Sequence, residues 1–118
     1  MTYDDGTEMA RFLGMYVLDD DDTPVQATDY LAWARFKAEQ GHRLRVDRTH
    51  LAEIEVSTVF LAQDHSFGGG ALPILYETAV FKRGTFVGIF GRYATRDDAQ
   101  VGHDQVVAGL LSEHPDRP

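Results

Sequence analysis

The chain has 118 residues, 43% of them hydrophobic and 25% charged, and its 11 Lys+Arg against 19 Asp+Glu give a formal net charge of −8. That is the size and composition of one globular domain, able to bury about two-thirds of its unfolded surface without disulfides or metal. The acid surplus argues against a protein that coats duplex nucleic acid or an anionic membrane, and the absence of cysteine excludes thiolate metal sites and cysteine catalysis.

Residues 1–11 carry neither the basic nor the apolar region of a signal peptide, and no apolar run approaches a membrane span, so a cytoplasmic setting is expected. These residues are read as a loosely packed extension of a single domain covering 1–118. Phe12–Leu18, short and apolar, reads as a strand. Asp19–Asp22 with Thr23 and Pro24 reads as a solvated turn, because four adjacent carboxylates repel one another and lack the alternate spacing of a calcium loop. Thr28 or Asp29 caps a helix running to about Gln40. Its apolar face is Leu31, Ala34 and Ala38 beside Tyr30, Trp33 and Phe36; Trp33 is assigned to the core and Gly41 to the stop.

Leu44 and Val46 alternate with Arg43, Arg45 and Asp47 as a half-exposed strand, and Ile54–Leu61 forms the next, with Arg48–Glu53 as the connection. Asp64–Leu72 is a loop carrying Gly68, Gly69 and Gly70. Pro73–Phe81 and Thr85–Tyr93 pair across a tight Lys82–Arg83–Gly84 turn. Gly88 and Gly91 mark a bulge, or a close approach by another backbone or a ligand, in the second of these strands. Thr95 caps a final helix, with Asp97 and Asp98 in its first turn. Its buried stripe is Ala99, Val106, Val107, Leu110 and Leu111, with His103 on or beside it. The expected fold is α+β: a twisted antiparallel sheet of about five strands, in the order β-α-β-β-β-β-α, with two helices on one face.

Chemistry-bearing residues concentrate between Ser57 and His103. Asp64, His65, Ser66, Phe67 and the three glycines form a loop whose backbone amides could converge on an anion, although neither a Walker loop nor a dinucleotide fingerprint is present. The alternative is a hairpin connection that needs positive backbone angles. Glu77 lies mid-strand, opposite in face to Tyr76 and Thr78, and Arg92 in the partner strand is its expected cation. His65 and His103, with Asp64 or Glu77, lack the spacing that fixes a metal site, so no metal or other cofactor is expected.

The blocks Val56–Leu61 (VSTVFL), Asp64–Gly70 (DHSFGGG), Pro73–Phe81 (PILYETAVF), Arg92–Thr95 (RYAT) and Ala99–His103 (AQVGH) form an ordered series. It resembles a family of small proteins encoded by tailed bacteriophages and prophages, in which VSTVFLG-DH-FGGG, ETMVF, RY-T and GH blocks follow in the same order. The likeness covers roughly Tyr16 to Leu110. Ala79 stands where that family usually has methionine, and Lys82–Gly84 where a double glycine is common. The resemblance implies a phage-derived accessory protein of the bacterial host cytosol that counters host defence, by blocking a protein or by sequestering a nucleotide signal. It nominates Ser57, Thr58, Asp64, His65, Glu77, Thr78, Arg92, Tyr93 and His103.

Together these readings favour a non-enzymatic binding module, expected to self-associate through exposed strand edges. Its expected ligand is a small nucleotide-like anion. Gly68–Gly70 would offer amides, Arg92 charge, Phe67 or Tyr93 a stacking face, and Asp64, His65, Glu77, Thr78 and His103 polar contacts. The alternative is an acidic inhibitor that binds and blocks a host protein, followed by a metal-dependent hydrolase.

Overall fold

The computed structural model describes residues 13–66 and 72–113, and the fold is α+β. The N-terminal extension expected over 1–11 lies outside the described residues, as do Phe67, Gly68, Gly69 and Gly70. Two compact units divide the chain: one runs to Leu44 and includes Leu61–Leu75, the other comprises Arg45–Phe60 and the residues from Tyr76 onward.

In the first unit, β1 (Tyr16–Leu18) pairs antiparallel with β2 (Pro24–Gln26). The turn between them is built from the acidic run. The Asp19 carboxylate accepts the Asp21 and Thr23 backbone N–H groups at 2.8 and 2.9 Å, and Asp22 takes a positive φ of 60°. Arg43 offsets the charge, its Nη2 lying 2.8 Å from Asp22 Oδ1. Asp29 then caps α1 (Tyr30–Glu39), accepting the Ala32 N–H at 2.8 Å from an extended backbone. Trp33 packs against the Met15–Ala27 core, and its Nε1–H donates to the Ala62 carbonyl at 2.8 Å, as a core tryptophan should. Phe36 is the buried residue of α1, whereas Leu31, expected on the buried face, is exposed.

The second unit holds a four-stranded antiparallel sheet in chain order: β3 (Arg45–Leu51), β4 (Ile54–Phe60), β5 (Tyr76–Lys82) and β6 (Thr85–Tyr93). The α2 helix (Arg96–Glu113) packs on one face of it. Thr95 caps that helix, its Oγ1 accepting the Asp98 N–H at 3.1 Å. The sheet is therefore one strand narrower than expected. Of the strand expected over Phe12–Leu18, Tyr16–Leu18 pairs with Pro24–Gln26, and α1 belongs to the first unit with that hairpin.

Both hairpin turns of the sheet use left-handed backbone. Ala52, with φ 55°, stands in the two-residue turn between Leu51 and Ile54; Arg83 and Gly84, with φ 52° and 80°, join Lys82 to Thr85. The segment Arg48–Leu51, expected as connection, is strand instead, because the turn forms on Ala52–Glu53 without the glycine that would have announced it. Buried Val56, Phe60, Tyr76, Val80 and Ala99 make the core of this unit. Each large apolar side chain buried there contributes about 1.5–3 kcal/mol. Among the described residues, no helix is long and apolar enough to cross a membrane.

Candidate functional site

The sheet of the second unit carries a polar row across its helix-facing side. Asp47 in β3 stands opposite Thr58 in β4, Thr58 opposite Thr78 in β5, and Thr78 opposite Gly91 in β6. In α2, Gly102 and His103 are both buried. His103 is wholly inaccessible; its Nδ1 lies 2.7 Å from Thr58 Oγ1 and its Nε2 2.8 Å from Thr49 Oγ1. Thr58 and Thr78 hydroxyls are 2.6 Å apart, and the Tyr93 hydroxyl donates to Thr78 Oγ1 at 3.1 Å.

One direction of donation satisfies every member of this chain. Tyr93 donates to Thr78, Thr78 to Thr58, and Thr58 to His103 Nδ1. Neutral His103 then donates its Nε2 proton to Thr49, a tautomer assigned from the network. Asp47 Oδ2, 3.6 Å from His103 Nε2, favours a proton on that nitrogen. The Asp47 carboxylate is itself held by Gln100 Nε2 at 2.8 Å, and this hydrogen bond, outweighing partial burial, keeps its pKa below the ordinary 3.8.

Two glycines make room for the tyrosine. A Cβ on Gly91 would lie 2.0 Å from the Tyr93 hydroxyl, and one on Gly102 would lie 2.2 Å from the Tyr93 ring. The ring is thus held between β6 and α2, and what lies close to Gly91 is the Tyr93 side chain rather than another backbone. Because the buried hydroxyls of Thr58 and Thr78 and both His103 nitrogens are spent on other members of the chain, its role is to lock α2 and the end of β6 onto the sheet.

The opposite face of the sheet is charged and apolar by turns. Glu77 and Arg92 are directly opposite in register, with Arg92 Nε 3.3 Å from Glu77 Oε2, the cross-strand ion pair expected from the sequence. Arg48 and His50 both reach the Glu55 carboxylate, at 3.1 and 3.2 Å. Strand β6 has two extra residues against β5: Gly88 and Ile89 face Val80 and Ala79, but Phe86 faces Phe81 and Gly91 faces Thr78, leaving Val87 and Phe90 unpaired in bulges. These are the bulges that Gly88 and Gly91 announced.

As an edge strand, β6 exposes an uncharged apolar strip. Phe86 is 55% exposed, Val87 54%, Ile89 37% and Phe90 48%. The other edge, β3, carries Arg45, Asp47, Arg48 and His50. Charge of that kind is the usual guard on a sheet edge, and β6 has none between Thr85 and Gly91.

Asp64 and His65 belong to the first unit, whereas Glu77, Thr78, Arg92, Tyr93 and His103 belong to the second. Asp64 closes its loop: its Oδ1 accepts the backbone N–H groups of Ser66 and Ile74 at 2.8 and 2.9 Å. Burial raises the Asp64 pKa, but those two donors outweigh it and hold the carboxyl below 3.8. The His65 ring bonds the Gln63 carbonyl through Nδ1 at 2.8 Å. No group of three or more metal-ligating side chains occurs among the described residues. Thr49, Asp47, Gln100 and the packing role of Gly102 escaped the sequence reading, the first two because their segment was divided between a shorter strand and a connection.

No protein-family model, curated protein or solved structure matches this chain.

Proposed function

We propose that this chain is a non-enzymatic binding module that acts on another protein, and that β6 is its docking element. The observation that carries this reading is the exposed strip of Phe86, Val87, Ile89 and Phe90 on the uncharged Thr85–Gly91 stretch of one edge strand. Exposed apolar side chains gathered in one patch mark interaction surfaces, and aromatic residues dominate binding energy at such surfaces. The two bulges interrupt the regular row of backbone groups along the edge, so docking runs through side chains rather than through strand addition.

The partner's chemistry follows from charge. With a net −8 on the chain and exposed Asp97 and Asp98 immediately after β6, the surface it fits is an apolar patch rimmed by basic residues. The phage-family resemblance supplies the setting: a bacterial host protein that is bound and blocked.

The small-anion reading would have to draw on residues with other commitments. Arg92 is paired with Glu77, and Thr78, Tyr93 and His103 are engaged in the buried chain. A direct test is amide NMR of the isotopically labelled chain in clarified bacterial lysate. Selective attenuation of the Phe86–Phe90 signals, relieved by salt, is the expected result. Uniform attenuation, or none, would refute docking at β6.

A further inference from the structure

Beyond the protein-docking strip, the second unit has an open cleft of about 510 Å³ at the far end of the helix–sheet interlayer, a volume typical of small-molecule sites. Its walls are Leu51 and Ile54, which flank the β3–β4 turn, and Leu110 and Leu111, from the last turn of α2. Ala52, Glu53 and Lys82 complete the rim. Strand register places Ile54 directly opposite Lys82 and Leu51 opposite Ile54, so these three close the end of the row that continues inward through Val56 and Val80.

The charges at the rim are unequal in their commitments. Glu53 is bonded to Arg83, Oε1 to Nη2 at 2.5 Å, and the Arg83 backbone N–H also reaches the Glu53 carbonyl at 2.9 Å, tying the two hairpin turns together. Lys82 has no ion-pair partner among the described residues. The last turn of α2 presents helix carbonyls, which repel anions, so a negative headgroup belongs on the Lys82 side and an apolar tail between the leucines.

We infer that this cleft binds an amphipathic monoanion, an aliphatic carboxylate whose chain lies against Leu51, Ile54, Leu110 and Leu111 and whose headgroup meets the Lys82 ammonium. An apolar slot ending in one uncommitted cation selects that class over a neutral alcohol, which gains no ion pair, and over a cationic amphiphile, which Lys82 repels.

The test is an amide NMR titration of the full chain with decanoate below its micelle concentration, with decyltrimethylammonium as the opposite-charge control. Saturable shifts of Leu51–Ile54, Leu110 and Leu111 are expected, with Lys82→Gln weakening decanoate about threefold to tenfold. Lys82 is exposed, so this variant keeps the fold, and the control amphiphile gives a second readout on the unaltered protein. Absent shifts, equal binding of the cationic amphiphile, or an unchanged Lys82→Gln affinity would each overturn the inference. Decanoate shifts confined to Phe86–Phe90 would overturn it too, without bearing on the protein-docking role of β6.

Discussion

His103 Nδ1 and Thr58 Oγ1 stand 2.7 Å apart inside the second unit, joining α2 to the middle of the sheet through a contact from which solvent is excluded. Around it, Thr78 continues the buried chain of hydrogen bonds, and half-buried Thr49 and Tyr93 form its two ends. Removing one member strands its neighbours, and an unsatisfied buried hydroxyl costs more than a hydrogen bond is worth.

His103→Ala should therefore destabilise the protein by about 2–4 kcal/mol, from the cavity plus the stranded Thr49 and Thr58 hydroxyls. Urea unfolding at neutral pH checks this. A loss below about 0.5 kcal/mol, the range of ordinary surface changes, would contradict the locking role.

The Tyr93 ring between Gly91 and Gly102 makes a coupled pair. Gly102→Ala should cost about 1–3 kcal/mol, because the new Cβ falls on the ring. Once Tyr93→Ala has removed the ring, adding Gly102→Ala should cost little more. The double-mutant cycle is therefore strongly non-additive, whereas additive losses would mean the two residues act separately.

Asp64 gives a pH signature to the first unit. Its folded pKa lies below 3.8, so its contribution is fully present well above that value and is lost as pH falls through the folded pKa. Asp64→Ala should cost about 1–3 kcal/mol near neutral pH, since the Ser66 and Ile74 N–H groups lose their acceptor. Denaturation at several pH values should show that deficit shrinking below 3.8. A deficit that stays constant into acid would contradict the assignment.

The Glu77–Arg92 pair should behave differently, because Arg92 is half-exposed. Arg92→Ala is expected to cost less than about 1 kcal/mol. Melting of the variant checks this, and a loss as large as that of His103→Ala would make the pair a structural anchor.

Much of the fold was legible where local chemistry speaks plainly. Asp29 and Thr95 cap helices as their side chains demand, Arg83–Gly84 turns a hairpin, and paired glycines in β6 announce its bulges. The β3–β4 turn was hidden because Ala52 adopts a positive φ without glycine or asparagine to signal it. That error displaced Thr49 from its strand and with it one end of the buried chain. The sheet has four strands, close to the expected five, and β1 lies outside it for a tertiary reason: apolar patterning marks β1 as a strand but does not say which partner it pairs with. Glu77–Arg92 could be read from adjacent strands, whereas the meeting of Thr58, Thr78, Tyr93 and His103 depends on register across three strands and a helix.

Site-specific photocrosslinking in living bacteria tests the docking strip most directly. A photoreactive side chain at Phe86 or Phe90 should give a discrete adduct with one and the same host protein, abolished by Ile89→Asp in a chain that still melts normally. The same probe at His50, on the charged edge strand, should give none. Absence of adducts at β6, equal labelling from His50, or adducts between copies of this chain alone would contradict the account.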